Sequence, residues 1–166
     1  MVQYAEYFSP IGTLLLAAEE DALTGLRMDR PLPPECIPAG EHPVLKAAAR
    51  WLDAYFMGQN PAIAISLRPY GTAFQRQVWQ RLLEIPYGAV CTYGDIAREM
   101  EAKTGKRMSA QAVGGAVGSN PISLLIPCHR VVGSKGRLTG YAWGVDRKQW
   151  LLSHEGWKGM GYNDHQ

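Results

Sequence analysis

A cysteine, a histidine and an arginine follow one another at positions 128 to 130, directly after Pro127. A thiolate is a strong nucleophile, but a free cysteine with a pKa of about 8.5 is only a few per cent ionised at neutral pH. A histidine that accepts the thiol proton removes this limit, and Arg130 could stabilise the anion. Neighbouring side chains of an extended strand point to opposite sides, so Cys128 and His129 can cooperate only at a bend, which Pro127 favours, or through a bridging water. The open alternative is a buried structural cysteine, because buried free cysteines are common.

Three short helices are predicted upstream of this segment, and each starts at a residue that caps helices well. The caps are Thr72, Thr92 and Ser109. The first two are followed three residues later by a glutamine or an aspartate, which completes a capping-box pattern. The second and third helices are joined by a loop that contains Gly105, and this arrangement is typical of a helix-turn-helix. The helix over residues 110–117 would then be the recognition helix.

The recognition helix is built from small residues, including Ala112, Gly114 and Gly115. Each glycine costs a short helix about 1 kcal/mol relative to alanine, so a compensating reason is expected. Either another backbone approaches this surface closely, as in the narrow minor groove of DNA, or the helix packs tightly within its own domain. The glycines do not form a dinucleotide or S-adenosylmethionine loop, because no strand precedes them and no G-x-G-x-x-G pattern is present. No cofactor is therefore expected.

Charge is divided unevenly along the chain. Residues 1–66 carry 4 Lys/Arg and 8 Asp/Glu, a net charge of −4, whereas residues 67–166 carry 13 Lys/Arg and 7 Asp/Glu, a net charge of +6. This polarity supports a DNA-binding C-terminal half beside an acidic N-terminal scaffold.

The composition predicts a cytoplasmic protein with a packed core. Of the 166 residues, 46% are hydrophobic, which argues against disorder, but no apolar run approaches the roughly 20 residues of a membrane span. The N-terminus lacks the basic start and apolar core of a signal peptide. Three cysteines, at positions 36, 91 and 128, are too few and too scattered for a disulfide framework or a CxxC metal site. We therefore expect reduced thiols and no bound metal.

The N-terminal half is predicted to be a support domain. Its apolar pattern predicts strands over residues 2–8, 13–18, 22–28 and 63–66. Pro43 suits the first position of a helix that ends at Gly58. We predict domains at residues 1–67 and 72–166 joined by a linker over residues 68–71, with a last helix over residues 146–155.

Seven segments stand in a characteristic order between residues 72 and 156. They are Pro86-Tyr87-Gly88, Thr92-Tyr93, the stretch from Ala112 to Ala116, Asn120-Pro121, Pro127-Cys128-His129-Arg130-Val131, Thr139-Gly140-Tyr141 and the stretch from Trp150 to Gly156. The ordered set resembles the O6-alkylguanine-DNA alkyltransferases, also called methylated-DNA–protein-cysteine methyltransferases. The resemblance implies an α/β (α+β) fold, in which a small N-terminal ribonuclease H-like α/β domain is followed by a winged helix-turn-helix C-terminal domain.

The resemblance implies a suicide reaction, in which Cys128 attacks the alkyl carbon on O6 of guanine, or on O4 of thymine, and keeps the group as a thioether. One molecule would repair one base. His129 would take the thiol proton through a water, and Glu155 would orient the imidazole. Tyr93 would donate a proton to the leaving guanine, and Asn120 would brace the active-site loop. The alternatives are a solvated helix-end carboxylate for Glu155 and an inward-packed aromatic side chain for Tyr93.

Two groups of binding residues follow from the same resemblance. Those lining the guanine pocket are Tyr141, Ala142, Trp143 and Val131. Those contacting DNA are Gln111, Ala112, Gly114, Gly115, Arg107 and Arg130. The target nucleotide must be flipped out of the duplex, which costs a few kcal/mol.

Two residues depart from the pattern of many family members. Gln111 stands where many have the arginine that fills the gap left by the flipped base. Glutamine can hydrogen-bond to the orphaned cytosine but lacks the charge, which Arg107 of the preceding loop could supply. Trp143 stands where many have glycine, and we predict that it narrows the pocket, so that methyl groups react much faster than benzyl groups.

Three other functions are compatible with parts of the pattern. A non-catalytic lesion-binding protein of the alkyltransferase-like class would lack the reactive cysteine, which is present here. A thiol hydrolase or acyl transferase would need an oxyanion-hole motif and a separated histidine/asparagine pair. A plain helix-turn-helix regulator would bind its DNA sequence regardless of Cys128. The expected partner is double-stranded DNA containing O6-alkylguanine, with a monomeric chain and no membrane.

Overall fold

The computed structural model describes residues 1–28 and 31–159. The chain divides into two compact units, one of residues 1–70 and 121–125, and the other of residues 71–120 with the described residues from 126 onward. The first unit is built around a sheet and the second around helices, which confirms the predicted mixed α/β class. Along the described residues, no helix combines the length and the apolar character that crossing a membrane requires.

The sheet of the first unit has four strands in chain order. They are β1 (Val2–Ser9), β2 (Gly12–Glu19), β3 (Ala22–Met28) and β4 (Ser66–Leu67). The first three form an antiparallel meander, as predicted, and β4 runs parallel to β3. The predicted strand over residues 63–66 is wrong in position, because only residues 66 and 67 pair with β3 and Ile63 is 39% exposed.

One helix, α1 (Pro43–Phe56), packs on this sheet. Its apolar face is buried and consists of Val44, Leu45, Ala48, Trp51, Leu52 and Tyr55. Pro43 occupies the first turn as predicted, and Nδ1 of His42 accepts a hydrogen bond from the backbone N–H of Val44 at 3.1 Å. Pro43 has no N–H that needs a partner, and the N–H of Val44 is bound by His42. These two positions at the N-terminus of α1 therefore need no water.

The short segment over residues 121–125 also belongs to the first unit. The backbone N–H of Leu26 in β3 donates to the carbonyl of Pro121 at 2.9 Å, and the N–H of Ser123 donates to the carbonyl of Leu26 at 3.2 Å. The chain therefore adds a parallel bridge at Leu26 and Ile122 to the edge of the sheet.

Among its described residues, the second unit contains four α-helices and a pair of two-residue strands. In chain order they are α2 (Ala73–Leu82), β5 (Cys91–Thr92), α3 (Tyr93–Thr104), α4 (Ala110–Gly118), β6 (Val131–Val132) and α5 (Val145–His154). The two strands are parallel and pair Cys91 with Val131. After β6 the chain makes a tight turn, closed by a hydrogen bond from the N–H of Gly133 to the carbonyl of Arg137 at 2.7 Å.

Local capping explains where the helices of this unit begin. Thr72 and Thr92 each accept a hydrogen bond from the backbone three residues later, and both form complete capping boxes. Ser109 accepts from the N–H of Ala112 at 3.0 Å and caps α4. The predictions of these three helix starts are confirmed.

Trp79 of α2 forms a hydrogen bond with α4, the second helix of the predicted helix-turn-helix. Its buried indole N–H donates to the carbonyl of Ala116 in α4 at 2.8 Å. The ring lies so close to Gly71 that a Cβ at that position would clash with it. Gly71 is therefore required for the close approach of the backbone to this indole, which in turn sets the position of α4.

Candidate active site

Cys128, His129 and Arg130 form a single turn of 3₁₀ helix between Pro127 and β6. The chain is therefore bent at the position where the sequence argument requires a bend. All three side chains are buried, with Cys128 only 4% exposed and His129 fully enclosed. Cys128 and His129 lie in this turn, before β6 begins, and not in a paired strand. Their side chains are therefore not forced to opposite sides of a sheet.

A buried carboxylate holds the side chains of His129 and Arg130. Nε2 of His129 lies 2.6 Å from Oε2 of Glu155, and the guanidinium of Arg130 donates to both carboxylate oxygens, at 2.8 and 3.2 Å. Glu155 follows the last turn of α5, and its side chain is completely buried. Twenty-six residues of chain separate the histidine from the carboxylate, so this contact depends on the tertiary fold.

Arg130 lies in the interior rather than on the DNA-facing surface that the resemblance suggested. Besides Glu155, its guanidinium donates to the carbonyl of Ile85 at 2.7 Å, and the residue is 8% exposed. Three of the N–H donors of Arg130 are therefore used inside the protein, and its contact with DNA stays a prediction.

The charges of this cluster decide which imidazole nitrogen carries the proton. Burial alone would raise the pKa of the Glu155 carboxyl, but His129 and Arg130 outweigh it and lower this pKa to about 2. Burial lowers the pKa of His129 below its ordinary value, even though Glu155 acts to raise it. A neutral imidazole next to an ionised carboxylate must donate from Nε2, so Nδ1 keeps a lone pair.

Nδ1 of His129 is buried and forms no hydrogen bond with the residues that the structure describes. It is therefore a free base in the interior, beside Cys128 in sequence and facing away from Glu155. An acceptor of this kind can take a thiol proton directly or through one water.

Asn120 lies at the other end of the loop that leads to Cys128. Its side-chain amide donates to the carbonyl of Ile126 at 2.8 Å, and the residue is 7% exposed. Within this loop, Leu124 is buried and has a positive φ of 73°, a conformation that is strained for a residue with a branched side chain. The bond from Asn120 fixes the two ends of the loop against each other.

Tyr93 is the first residue of α3, and its hydroxyl lies near the segment before Tyr141. The Oη atom is 3.5 Å from the carbonyl of Gly140. Burial raises the pKa of Tyr93, and the charge of Cys128 adds to the increase. Tyr93 therefore stays protonated at neutral pH and lies within electrostatic range of the cysteine.

Lys148 is a residue of the site that the sequence reasoning missed. Its ammonium group donates to the carbonyl of Thr139 at 2.9 Å and reaches Oη of Tyr93 at 3.5 Å, and the residue is fully buried. The signal that could have found it is its spacing, since Lys148 precedes the buried Leu151 and Leu152 by three and four residues on α5.

The residues assigned to the guanine pocket differ in exposure. Val131 is fully buried in β6, Trp143 is 5% exposed, and Ala142 is exposed. The rings of Tyr141 and Trp143 contact each other with centroids 5.9 Å apart. Gly144, directly after Trp143, has a φ of +93°, a backbone conformation that favours glycine.

The residues assigned to DNA contact, other than Arg130, lie on or next to the outer face of α4. Gln111, Ala112, Gly115 and the preceding Arg107 are all exposed. A Cβ at Gly115 would meet nothing within 4 Å, and one at Gly114 would make only an ordinary contact of 3.8 Å with the ring of Tyr93. Internal packing therefore does not require these glycines.

Family comparisons place both units in one group of proteins. Residues 73–157 match the model of the 6-O-methylguanine DNA methyltransferase DNA-binding domain, and residues 2–69 match that of its ribonuclease-like domain. A methylated-DNA–protein-cysteine methyltransferase of Methanosarcina acetivorans is 42% identical and covers 92% of this chain and 97% of its own length. The protein of that name from Mycolicibacterium paratuberculosis is 45% identical and covers 93% of each chain.

Solved structures agree with these matches. The crystal structure of the Mycobacterium tuberculosis O6-methylguanine methyltransferase superposes with a TM-score of 0.80 at 42% identity, over 93% of each chain. The crystal structure of Mycobacterium tuberculosis OGT in complex with DNA superposes with a TM-score of 0.79 at 41% identity, over 92% of each chain. Matched along both of its units by sequence and along nearly its whole length by structure, the chain belongs to the O6-methylguanine DNA methyltransferase family.

Proposed function

We propose that this protein repairs alkylated DNA by moving the alkyl group from O6 of guanine to its own Cys128, once per molecule. The observation that carries the proposal is the buried Cys128-His129 turn, whose imidazole is kept neutral by burial and oriented by Glu155 through Nε2, so that its Nδ1 lone pair stays available. The methyl group is the preferred substrate because the bulky Trp143 lies beside the pocket. In the same proposal the protein works as a monomer in the cytoplasm.

The chemical step is a displacement at carbon. Nδ1 of His129 takes the thiol proton of Cys128 through a bridging water, and the resulting imidazolium is stabilised by Glu155. The thiolate attacks the alkyl carbon, the new C–S bond forms, and the bond between carbon and O6 breaks. Its electron pair stays on the guanine, which accepts a proton from the hydroxyl of Tyr93 and leaves as a neutral base. The thioether has no easy leaving reaction, so the protein is not regenerated.

DNA binding is assigned to the exposed face of α4. Because Ala112, Gly114 and Gly115 carry little or no side chain, they allow the close approach that a minor groove demands. Gln111 would occupy the space left by the flipped nucleotide, and Arg107 would add positive charge from the preceding loop. The partner is double-stranded DNA that contains O6-alkylguanine.

Intact mass after incubation with an O6-methylguanine oligonucleotide tests the reaction. The wild-type protein should gain one methylene unit, about 14 Da, and saturate at one per chain because the thioether is stable. Cys128→Ser should gain nothing, whereas Cys91→Ser, which removes a half-buried thiol of the same unit, should gain the full increment. Lesion binding without any mass gain would instead identify a binding protein, and repeated turnover without an adduct would identify a hydrolase.

Replacing Gly115 with alanine should stabilise the fold while weakening repair. Alanine is the better helix former by about 1 kcal/mol, and the added methyl group meets nothing inside the protein. On the DNA side the same methyl group should reduce lesion-DNA affinity by about tenfold. Thermal unfolding and single-turnover repair at limiting DNA measure the two effects.

The free base O6-methylguanine provides the control for this variant. Because the free base needs no contact with α4, its reaction with Cys128 should be unchanged in Gly115→Ala. Equal DNA repair by the variant and the wild type would show that close approach at Gly115 is not needed.

A further inference from the structure

A fully buried lysine lies next to the proposed reacting groups and forms no ion pair with a carboxylate of the described residues. Its Nζ atom donates to the carbonyl of Thr139 and lies over the rings of Tyr93 and Tyr141, at 5.7 and 5.9 Å from their centroids. A buried ammonium group without a carboxylate partner is costly. Lys148 must therefore obtain its stabilisation from a carbonyl, two aromatic faces and whatever negative charge develops nearby.

The charge of Cys128 acts electrostatically on this lysine. Burial lowers the pKa of Lys148 to about 8, and the charge of Cys128 acts in the opposite direction and raises it. The interaction is reciprocal, because a cation that is favoured by a thiolate favours that thiolate equally. The titratable and charged groups around the pair are Tyr93, Tyr141, His129, Arg130 and Glu155.

A second consequence concerns the hydroxyl of Tyr93. An ammonium group can only donate hydrogen bonds, so its contact of 3.5 Å with Oη uses that oxygen as an acceptor. The hydrogen of the hydroxyl is then left to point elsewhere, either to the carbonyl of Gly140 or to a base in the pocket.

We propose that Lys148 is a positioning residue for the transfer reaction, whose ammonium charge favours the Cys128 thiolate and whose hydrogen bond turns the Tyr93 hydroxyl toward the leaving guanine. This inference rests on the proposed function and assigns a role to a buried residue of α5. The positive charge of Arg130 cannot replace it, because that guanidinium is already neutralised by Glu155.

Two variants of Lys148 separate its charge from its volume. Lys148→Met keeps the length of the side chain without the charge, and Lys148→Arg keeps the charge. Lys103→Met, at an exposed position of α3, is the matched control. Thiolate formation is followed by ultraviolet absorbance as a function of pH, with the same protein carrying Cys128→Ser as the blank, and single-turnover methyl transfer is followed over the same range.

In Lys148→Met the midpoint of thiolate formation should rise by about one pH unit, and methyl transfer at neutral pH should fall by about tenfold. The lost rate should return partly as the pH is raised, because more thiolate then forms without the lysine. Lys148→Arg should keep the wild-type midpoint of thiolate formation, and Lys103→Met should match the wild type in both measurements. A folded Lys148→Met protein with an unchanged thiolate midpoint would overturn the proposal, even if its rate were lower, since a merely structural lysine would leave the titration in place.

The wild-type protein alone provides a test that does not depend on a variant folding. Its transfer rate, divided by the fraction of thiolate measured at the same pH, should decline as the pH rises through about 8, where Lys148 loses its proton and no longer holds the Tyr93 hydroxyl as an ammonium donor. Tyr93 does not account for this decline, because burial raises its pKa from the ordinary value. A rate per thiolate that stays level through this range contradicts the role of Lys148 in orienting Tyr93. An absent methyl adduct on wild-type Cys128 would instead refute the proposed function, while the thiolate titration would still report on Lys148.

Discussion

Replacement of Glu155 with glutamine is expected to slow methyl transfer by about a hundredfold, the low end of what a positioned general base contributes. The carboxylate accepts hydrogen bonds from His129 and Arg130 at three points. An amide offers one acceptor oxygen and points two N–H donors at groups that are themselves donors. His129 then loses the anion that holds its proton on Nε2, and the Nδ1 lone pair is no longer assured.

The same substitution should destabilise the protein by about 3 kcal/mol, because it leaves the buried guanidinium of Arg130 without its counter-charge. Urea unfolding and single-turnover kinetics measure the two effects. Glu84→Gln is the matched control, since Glu84 is an exposed carboxylate paired with Arg81 and its loss should change stability by less than about 1 kcal/mol. A Glu155→Gln protein as stable and as fast as the wild type would exclude the buried cluster as the activating unit.

Lowering the pH should destabilise the wild-type protein through the same cluster of Glu155, His129 and Arg130. The carboxyl of Glu155 has its pKa lowered from 4.5 to about 2, so the unfolded state binds more protons between these values. Its contribution to stability is complete above about pH 4.5 and is lost as the pH falls toward 2. The pKa of the buried His129 is also lowered, so this imidazole gains a proton more readily in the unfolded chain. Its contribution therefore also decreases stability as the pH falls, and this decrease begins at a higher pH than that of Glu155.

The urea midpoint measured at decreasing pH should therefore fall more steeply in the wild type than in Glu155→Gln. Parallel curves for the two proteins would contradict the lowered pKa of Glu155.

Replacement of Trp143 with glycine should change which alkyl group the protein accepts. Trp143 is 5% exposed and lies against Tyr141, and in our proposal its indole limits the depth of the pocket. Removing it should raise the rate with O6-benzylguanine relative to O6-methylguanine by at least about tenfold, since a relieved steric conflict of one or two heavy groups is worth 1–3 kcal/mol. Single-turnover rates with both free bases measure the ratio without involving DNA.

The deletion of a buried indole should also cost about 3–5 kcal/mol of stability. Trp143→Phe retains most of the packing and serves as the milder variant, with an intermediate preference expected. If both variants fold and keep the wild-type ratio of benzyl to methyl rates, Trp143 does not set the size of the pocket.

Much of the fold follows from local sequence because its signals act over three or four residues. The caps at Thr72, Thr92 and Ser109 form hydrogen bonds within their own first turn, and Pro43 satisfies its helix end by lacking an N–H. The alternation of apolar residues in the first three strands likewise needs no distant partner to be recognised. The ordered segments around Cys128 also indicate the family without any information on tertiary structure.

Charged residues whose roles depend on distant neighbours could not be placed in this way. Arg130 and Lys148 are both ordinary surface residues by type, yet one is buried against Glu155 and the other between two tyrosine rings. The pairing of residues 121–125 with β3 is a further case, because nearly a hundred residues separate Ile122 from Leu26 along the chain. The sequence by itself determined most of the elements and the family, since these are encoded locally or as ordered motifs. Only the tertiary structure decided which cations are desolvated beside Cys128, because burial and pairing depend on the path of the whole chain.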